Sequence, residues 1–268
     1  MRTSIRVRGW IAALTLQAMA LQAAPLQAET LQLLASGAFR EAALALVPVF
    51  ETRTGLKVEL TSDTAGALVK RIEGGQAFDV VVVNHDGLQK LIAGGAVAPG
   101  STRDVASVGI GVGVRAGAPR PALATVAQFK DLLRGARRIA YIDPASGGTA
   151  GIYLAGLFRR LDMEAVVQPK ALLVPGGSAA ERIVSGEADV AIQQASEILP
   201  VKGVVLAGLL PAEIQTTTTY SAGVAQRAAN PAAARALLEA LSDRQAGSVI
   251  RATGMEPVTQ IQFKGDRQ

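Results

Sequence analysis

The sequence predicts an α/β protein with largely parallel sheets, divided into two lobes that are joined by two crossing strands. The first observation is that short β-rich runs alternate along the chain with segments whose apolar residues recur at helical spacing. Another is residues 107–115, where glycines at alternate positions indicate a strand that packs closely on its neighbours or crosses between lobes. A later β-rich run, residues 214–226, is the second predicted crossing strand and leads the chain back to the first lobe. The predicted lobes are residues 29–110 plus 223–268, and residues 111–222.

The individual elements follow in order along the chain. The first helix places Phe39, Leu46 and Phe50 on one face and stops before Gly55, and the last begins with Pro231, a residue suited to a first turn. The predicted strands are residues 30–35, 57–61, 79–83, 107–114, 138–142, 172–174, 190–193 and 216–220. The predicted helices are residues 38–52, 66–73, 86–93, 126–133, 150–161, 178–185 and 231–241.

Residues 1–28 are typical of a secretory signal peptide. Arg2, Arg6 and Arg8 precede an apolar run, and the small residue Ala28 ends the segment. The run is shorter than the roughly 20 apolar residues that span a bilayer, although an uncleaved anchor is the alternative. We therefore expect a periplasmic protein that is not stably inserted in the membrane after cleavage.

Composition excludes several kinds of site. The net charge is +5, and removal of the three signal-peptide arginines leaves +2, so the sequence does not support nucleic-acid binding. With no cysteine and one histidine, it offers neither a thiolate site nor a multi-histidine metal cluster. We expect no cofactor and no metal.

Four strand-to-helix junctions carry the predicted chemistry, at residues 35–38, 61–66, 143–151 and 175–178. Each brings small or hydroxyl residues to a helix N-terminus, where unpaired N–H groups and the positive dipole end favour an anion. The alternative is plain helix capping by Ser36, Thr64, Thr149 and Ser178. No lysine follows the glycines as in a nucleotide-binding P-loop, and no serine-hydrolase GxSxG elbow occurs.

Short motifs in a shared order resemble the periplasmic molybdate-binding proteins. The motifs are Leu34-Ala35-Ser36-Gly37-Ala38, residues 66–73, Phe78-Asp79-Val80-Val81-Val82, and Ala150-Gly151-Ile152-Tyr153. The resemblance covers roughly residues 30–257. It implies a type II periplasmic binding protein fold, with an anion held between two lobes by hydroxyl and N–H groups. It also places ligand donors at Ser36, Ala150 and Gly176.

Two positions depart from that family. Its second ligand serine falls on Ala65, beside Thr64, and its ligand tyrosine falls on Gln194. A carboxylate or another planar anion, met by the amides of Gln193 and Gln194, is as plausible as molybdate. The predicted ligand-binding residues are Ser36, Gly37, Thr64, Ala65, Ser146, Gly148, Thr149, Ala150, Gly176, Gly177, Gln193 and Gln194.

Two functions follow from the resemblance. The first is a binding protein that captures a small anion for an ABC permease and acts as a monomer. The second is an enzyme, because periplasmic aconitate isomerases look similar to molybdate-binding proteins. An allylic proton shift between trans- and cis-aconitate needs an acid or base beside a carboxylate-binding cleft. The titratable candidates are His85, Glu181 and Glu197, with Lys70, Arg71 and Arg182 as carboxylate partners.

Overall fold

A computed structural model describes residues 30–258, so the predicted signal peptide lies outside the described residues. Ten strands occur in this part of the chain: β1 Thr30–Ser36, β2 Lys57–Asp63, β3 Val80–Asn84, β4 Val97–Arg115, β5 Ile139–Ile142, β6 Ala171–Val174, β7 Val190–Gln194, β8 Val204–Leu209, β9 Thr217–Ala225 and β10 Glu256–Pro257. The helices between them are α1 Arg40–Thr54, α2 Ala65–Glu73, α3 His85–Ala93, α4 Val126–Gly135, α5 Thr149–Arg160, α6 Glu164–Val167, α7 Glu181–Val184, α8 Ala195–Ile198, α9 Pro231–Ser242 and α10 Ala246–Ala252.

The strands form one hydrogen-bonded sheet in the order β2-β1-β3-β9-β4-β7-β5-β6, with β8 and β10 also paired to β4. β1 runs parallel to β2 and β3, and β5 runs parallel to β6 and β7. β9 is antiparallel to β3 and β4. The predicted α/β class is confirmed, with parallel strands on each side of an antiparallel centre.

β4 joins the two sides of the sheet. Its first part, through Gly109, pairs with β9, and its last part, from Ile110, pairs with β7 and β8. The alternating glycines admit neighbouring side chains, since a Cβ on Gly111 would lie 2.5 Å from a Leu206 methyl carbon. Residues 220–224 of β9 pair with β3, and β9 pairs along its whole length with the part of β4 that precedes Ile110. Residues 217–222, which the sequence assigns to the second lobe, therefore lie beside the first set of strands.

Helices cover both faces of the sheet and enclose separate apolar clusters. One cluster contains Leu33, Phe39, Phe50 and Leu237, and another contains Phe129 with Leu154, Phe158 and Ile192. The first forms because α1 turns the predicted apolar face of Phe39, Leu46 and Phe50 onto the sheet. No helix among residues 30–258 is both long enough and apolar enough to cross a membrane.

Several elements differ from the sequence prediction. The short elements α6, α8 and β10 were not predicted, and β4 begins ten residues before the predicted strand at residue 107. The helix predicted over residues 178–185 is limited to α7, Glu181–Val184. β8 was not predicted because its run of apolar residues has no alternation that separates a strand from a helix. α10 was not predicted because Gly247 and Ser248 lower its intrinsic helix propensity, and burial of Ile250 compensates for this.

Candidate ligand-binding cleft

A cavity of about 750 Å³ lies where β1, β2, β5 and β7 reach their carboxyl ends. Both sides of the sheet contribute to its wall, and Tyr220 of β9 lies between them. In open α/β sheets this edge is where ligands bind. The residues that border it include Ser36, Gly37, Arg40, Glu41, Asp63, Thr64, Ala65, Gly148, Thr149, Ala150, Gly177, Glu181, Gln194, Glu197, Lys202 and Tyr220.

Three helices of eight or more residues, α1, α2 and α5, begin with residues that border the cavity. The first turn of α1 carries the charged pair Arg40 and Glu41, whereas α2 and α5 begin with small or hydroxyl residues. In α2 the Thr64 hydroxyl accepts the N–H of Ala67 at 3.2 Å, while Ala65 borders the cavity. α5 begins after Gly148 without a side-chain cap, and Thr149 and Ala150 border the cavity. First-turn N–H groups have no partner within their own helix, so α5 presents donors and a positive dipole end to the cleft. In α2 the N–H groups of Gly66 and Ala67 already bond to Gly147 and Thr64, so this helix contributes mainly its dipole.

Two buried polar atoms at the cavity wall have no hydrogen-bond partner within residues 30–258. They are the Ser36 hydroxyl oxygen and Oε1 of Gln194, and both residues are 2% exposed. Gln194 Nε2 donates to the Thr218 hydroxyl at 3.1 Å, which fixes the amide in place. An unsatisfied buried polar group costs about 1–3 kcal/mol, so a ligand that pairs with these atoms would recover that free energy.

Glu197 adds a carboxyl group to the same wall. It is the third residue of α8, and its carboxyl accepts a hydrogen bond from the backbone of Gln194, the residue that precedes the helix. Oε1 lies over Gly37, where a Cβ would be only 2.5 Å away. Burial raises the pKa of Glu197 from 4.5 to about 7, against the smaller lowering effect of the backbone bond.

Tyr220 places a neutral hydroxyl beside this carboxyl. The side chain is 2% exposed, and its hydroxyl oxygen accepts hydrogen bonds from the side chains of Thr149 and Gln194, which lower its pKa. Burial, followed by the charge of Glu197, raises its pKa well above the usual value of 10. Tyr220 therefore stays protonated and able to donate at neutral pH.

Charged groups surround the mouth of the cavity. Arg40 and Lys202 border it and are exposed, and Arg40 pairs with Glu41 at 2.5 Å. Asp63 accepts the Thr64 N–H at 2.8 Å and pairs with Arg71 at 3.3 Å. The polar groups of the inner wall are therefore mainly hydroxyl, amide and N–H groups, together with the Glu197 carboxyl.

Loops from the two sides of the sheet touch across the cleft. The Thr64 hydroxyl donates to the Ser146 carbonyl at 2.5 Å, and the Gly66 N–H donates to the Gly147 carbonyl at 3.1 Å. A Cβ on Gly66 would lie 2.7 Å from the Cα of Gly147, so neither loop has room for a side chain. The Ser196 hydroxyl also donates to the Ala38 carbonyl at 2.8 Å.

Nine of the twelve predicted ligand-binding residues border the cavity, whereas Ser146, Gly176 and Gln193 do not. The Ser146 hydroxyl bonds to the Asp143 carbonyl at 2.7 Å instead. Gly176 lies close to the cleft rim, where a Cβ would be 3.7 Å from Asp63 Oδ1. These three residues therefore lie outside the cavity wall, and ligand contact by the predicted residues stays a prediction.

Gln193 and Thr64 illustrate why hydrogen-bonding side chains are not all free to bind. Gln193 Oε1 accepts the Ala179 N–H at 2.6 Å, and its Nε2 donates to the Ser178 hydroxyl at 3.0 Å. Its amide therefore fixes the loop before α7. The Thr64 hydroxyl gives its hydrogen to Ser146, so it has none left for a ligand.

Of the titratable candidates, Glu181 and Glu197 border the cavity, and the basic candidates do not. Arg71 and Arg182 pair with Asp63 and Glu187, and Lys70 is exposed. His85 is exposed on α3, 3.9 Å from Asp104. Among residues 30–258 no group of three His, Cys, Asp or Glu side chains is placed to hold a metal ion.

Tyr220, Arg40 and Lys202 are among the wall residues that the sequence did not predict. The position of Tyr220 on the returning strand was a usable signal. Arg40 and Lys202 carried no local motif, because each reaches the cavity only through the folding of distant segments.

Comparisons with known proteins agree with this architecture. A family model described as bacterial extracellular solute-binding protein matches residues 31–256. A curated relative, an aconitate isomerase from a Pseudomonas species, is 34% identical over 235 residues, which cover 85% of this chain and 88% of the relative.

Solved structures share the fold at lower identity. The periplasmic molybdate-binding protein of Azotobacter vinelandii is similar with a TM-score of 0.70 and 22% identity, covering 86% of this chain and 100% of that one. The sulfate-binding protein SubI of Mycobacterium tuberculosis has a TM-score of 0.71 and 19% identity, covering 86% and 87%. These likenesses confirm the predicted type II periplasmic binding protein fold.

Proposed function

Because the chain belongs to the bacterial extracellular solute-binding proteins, we propose that its cleft binds a small anion that carries carboxylate groups. The observation that carries this proposal is the pair of unpartnered buried atoms, on Ser36 from one side of the sheet and on Gln194 from the other. A ligand between them meets the N-termini of α2 and α5, which favour negative charge.

The chemistry of the wall favours a carboxylate ligand over a tetrahedral oxyanion. Ser36 has a hydroxyl hydrogen to donate, whereas Gln194 Oε1 needs a donor from the ligand. A ligand with a carboxylate and a protonated carboxyl or hydroxyl group satisfies both.

Thermal unfolding tests the ligand class directly. The purified protein is heated with trans-aconitate, cis-aconitate, citrate, molybdate or sulfate, each over a range of concentrations. We expect the carboxylates to stabilise the fold, by about 2.7 kcal/mol at a hundredfold excess over Kd. Stabilisation by molybdate and sulfate alone would overturn the carboxylate assignment, and no shift from any of the five would overturn anion binding in this cleft.

A second candidate function is isomerisation of aconitate. It is favoured by the relative that is 34% identical and by a carboxyl group in the cavity wall, which an allylic proton shift requires. Incubation of the protein with trans-aconitate should yield cis-aconitate. Proton NMR of the vinyl hydrogen measures the conversion. Absence of the cis isomer at enzyme concentrations comparable with substrate would remove this candidate and leave the binding role.

The cellular setting belongs to the same proposal. Export to the periplasm through residues 1–28 and delivery of the ligand to an ABC permease fit the family. We expect the protein in the periplasmic fraction of cells, shortened by about the length of that segment, and monomeric by light scattering. Cytoplasmic retention of the full-length chain would contradict the export signal.

Closure of two lobes around the ligand completes the proposal. The contacts of Thr64 and Gly66 with Ser146 and Gly147 join segments that the sequence assigns to different lobes. Hinge closure is a common response of such folds to a ligand. Small-angle scattering should show a smaller radius of gyration with saturating trans-aconitate, and an unchanged radius would contradict closure.

A further inference from the structure

Four acidic side chains border the cavity, and their surroundings distinguish them. Glu41 pairs with Arg40, and Asp63 pairs with Arg71. Glu181 is exposed to solvent. Glu197 is partly buried and, among residues 30–258, has no salt bridge to a cation. Its carboxyl therefore faces the cleft without a fixed counter-charge.

We infer that Glu197 is the catalytic residue that moves the allylic proton of a bound aconitate, an inference that rests on the isomerase candidate above. Its carboxyl lies in the same wall as Ser36 and Gln194, whose unpartnered atoms mark where the ligand sits. The missing side chain at Gly37 makes room for it, because a Cβ there would meet Oε1 at 2.5 Å. The backbone bond from Gln194 holds it in this position.

The protonation behaviour of Glu197 suits this role. Burial raises its pKa to about 7, which gives a base strong enough to take a proton and an acid strong enough to return it near neutral pH. The charged and titratable groups around the same cavity are Arg40, Glu41, Asp63, Glu181, Lys202 and Tyr220. Of these, Tyr220 is the one whose hydroxyl is buried and bonded to Gln194.

The step balances without a cofactor. Ionised Glu197 takes one proton from the methylene carbon of trans-aconitate, and the C–H electron pair spreads over the three-carbon allyl system and its carboxylates. Glu197 then returns the proton to the former vinyl carbon, and the double bond now joins the central carbon to the former methylene carbon. One C–H bond breaks and one forms, with no net oxidation or reduction.

Neighbouring groups stabilise the intermediate charge. The Tyr220 hydroxyl stays protonated and lies beside Thr149, so it is able to donate to a ligand carboxylate as negative charge develops there. The N-terminus of α5, which begins at Thr149, acts in the same direction.

Substitution Glu197→Gln removes the titrating group while keeping shape and amide bonding. We expect trans-aconitate to stabilise this variant against heat with a Kd within about threefold of wild type, and its isomerisation rate to fall by about 10²–10⁴-fold. Glu239→Gln, on the exposed face of α9 far from the cavity wall, is the matched control and should keep the full rate.

The outcomes separate the inference from the function on which it rests. Isomerisation by Glu197→Gln within threefold of wild type would overturn the assignment of Glu197. A wild-type protein that neither binds nor isomerises trans-aconitate would instead overturn the isomerase candidate itself. If Glu197→Gln fails to fold, Glu197→Asp keeps the charge and retracts the carboxyl by one methylene. A folded Glu197→Asp protein should still bind trans-aconitate, and its isomerisation rate should fall at least tenfold. An unchanged isomerisation rate would overturn the assignment.

Discussion

The contact between Gly66 and Gly147 predicts an unusual combination of effects for Gly66→Ala. A Cβ on Gly66 would lie 2.7 Å from the Cα of Gly147, closer than real Cβ contacts allow, and both neighbours are backbone atoms that cannot turn aside. The loops must separate, which breaks the Gly66–Gly147 bond of 3.1 Å and strains the Thr64–Ser146 bond of 2.5 Å. Closure is lost, although each half of the sheet keeps its own packing.

The substitution should weaken ligand binding without lowering the stability of the ligand-free protein. Each hydrogen bond is worth about 0.5–1.5 kcal/mol, so losing two weakens ligand binding by about 1–3 kcal/mol, or roughly 5–150-fold in Kd. Gly66 is the second residue of α2, and alanine is favoured over glycine in a helix by up to about 1 kcal/mol. Because the two loop bonds belong to the closed form, the open, ligand-free variant should be as stable as wild type or slightly more stable.

Two measurements on the same samples test this reasoning. Calorimetric titration with trans-aconitate gives Kd, and urea unfolding without ligand gives the free energy of unfolding. The control is Gly156→Ala in α5, where a Cβ would meet only the flexible end of Arg160 at 3.4 Å. This control should also keep its stability and retain the wild-type Kd. A Kd for Gly66→Ala within twofold of wild type would refute the claim that these loops close on the ligand.

Three further predictions concern single side chains. The folded-state pKa of Glu197 is raised, so the folded protein holds a proton that the unfolded chain releases; its stabilising effect is complete below pH 4.5 and is lost as pH rises through about 7. The unfolding temperature of wild type relative to Glu197→Gln should fall over this interval, and a pH-independent difference would contradict the raised pKa. Ser36→Ala removes a hydroxyl without a protein partner, so calorimetry should show about tenfold weaker trans-aconitate binding and urea unfolding no loss of stability; a marked loss would mean the hydroxyl has a partner in solution. Gln193→Ala breaks the bonds to Ala179 and Ser178 and should lower the free energy of unfolding, measured in urea, by about 1–3 kcal/mol. An unchanged free energy of unfolding would mean that the Gln193 amide does not fix this loop.

The strand-to-helix junctions show what the sequence was able to predict. Gly151 lies at the end of the predicted junction at residues 143–151, and the structure requires glycine there, since a Cβ would overlap the Ile142 carbonyl at the end of β5. Likewise, Ser36 follows an apolar strand and precedes a helical apolar pattern, so its place at the cleft edge follows from local order alone.

The adjacent residues Gln193 and Gln194 show where local reasoning ends. Successive side chains of a strand point to opposite faces, so only one of the two faces the cavity. The sequence does not state which face is the cleft, because that depends on the position of α7 and of β9. Gln193 binds the loop at Ser178 and Ala179, whereas Gln194 borders the cavity.

Glu197 and Tyr220 required the three-dimensional structure for a different reason. The pKa of Glu197 is set by burial, and burial arises from the packing of α8 against β4 and the turn at Gly37. Tyr220 approaches the same site from a strand that returns across the sheet. No spacing in the sequence encodes either neighbour, since the segments are brought together only by the sheet order.

Calorimetric titration of the wild-type protein with trans-aconitate at pH 7, repeated with Ser36→Leu, tests the central claim most directly. Ser36 is 2% exposed at the cavity wall, so a leucine there fills space that the ligand would occupy. We expect saturable binding of one trans-aconitate per chain to the wild type, and no measurable binding to a Ser36→Leu protein that remains folded by circular dichroism. Equal affinity in both proteins, or no heat of binding in the wild type, would contradict it.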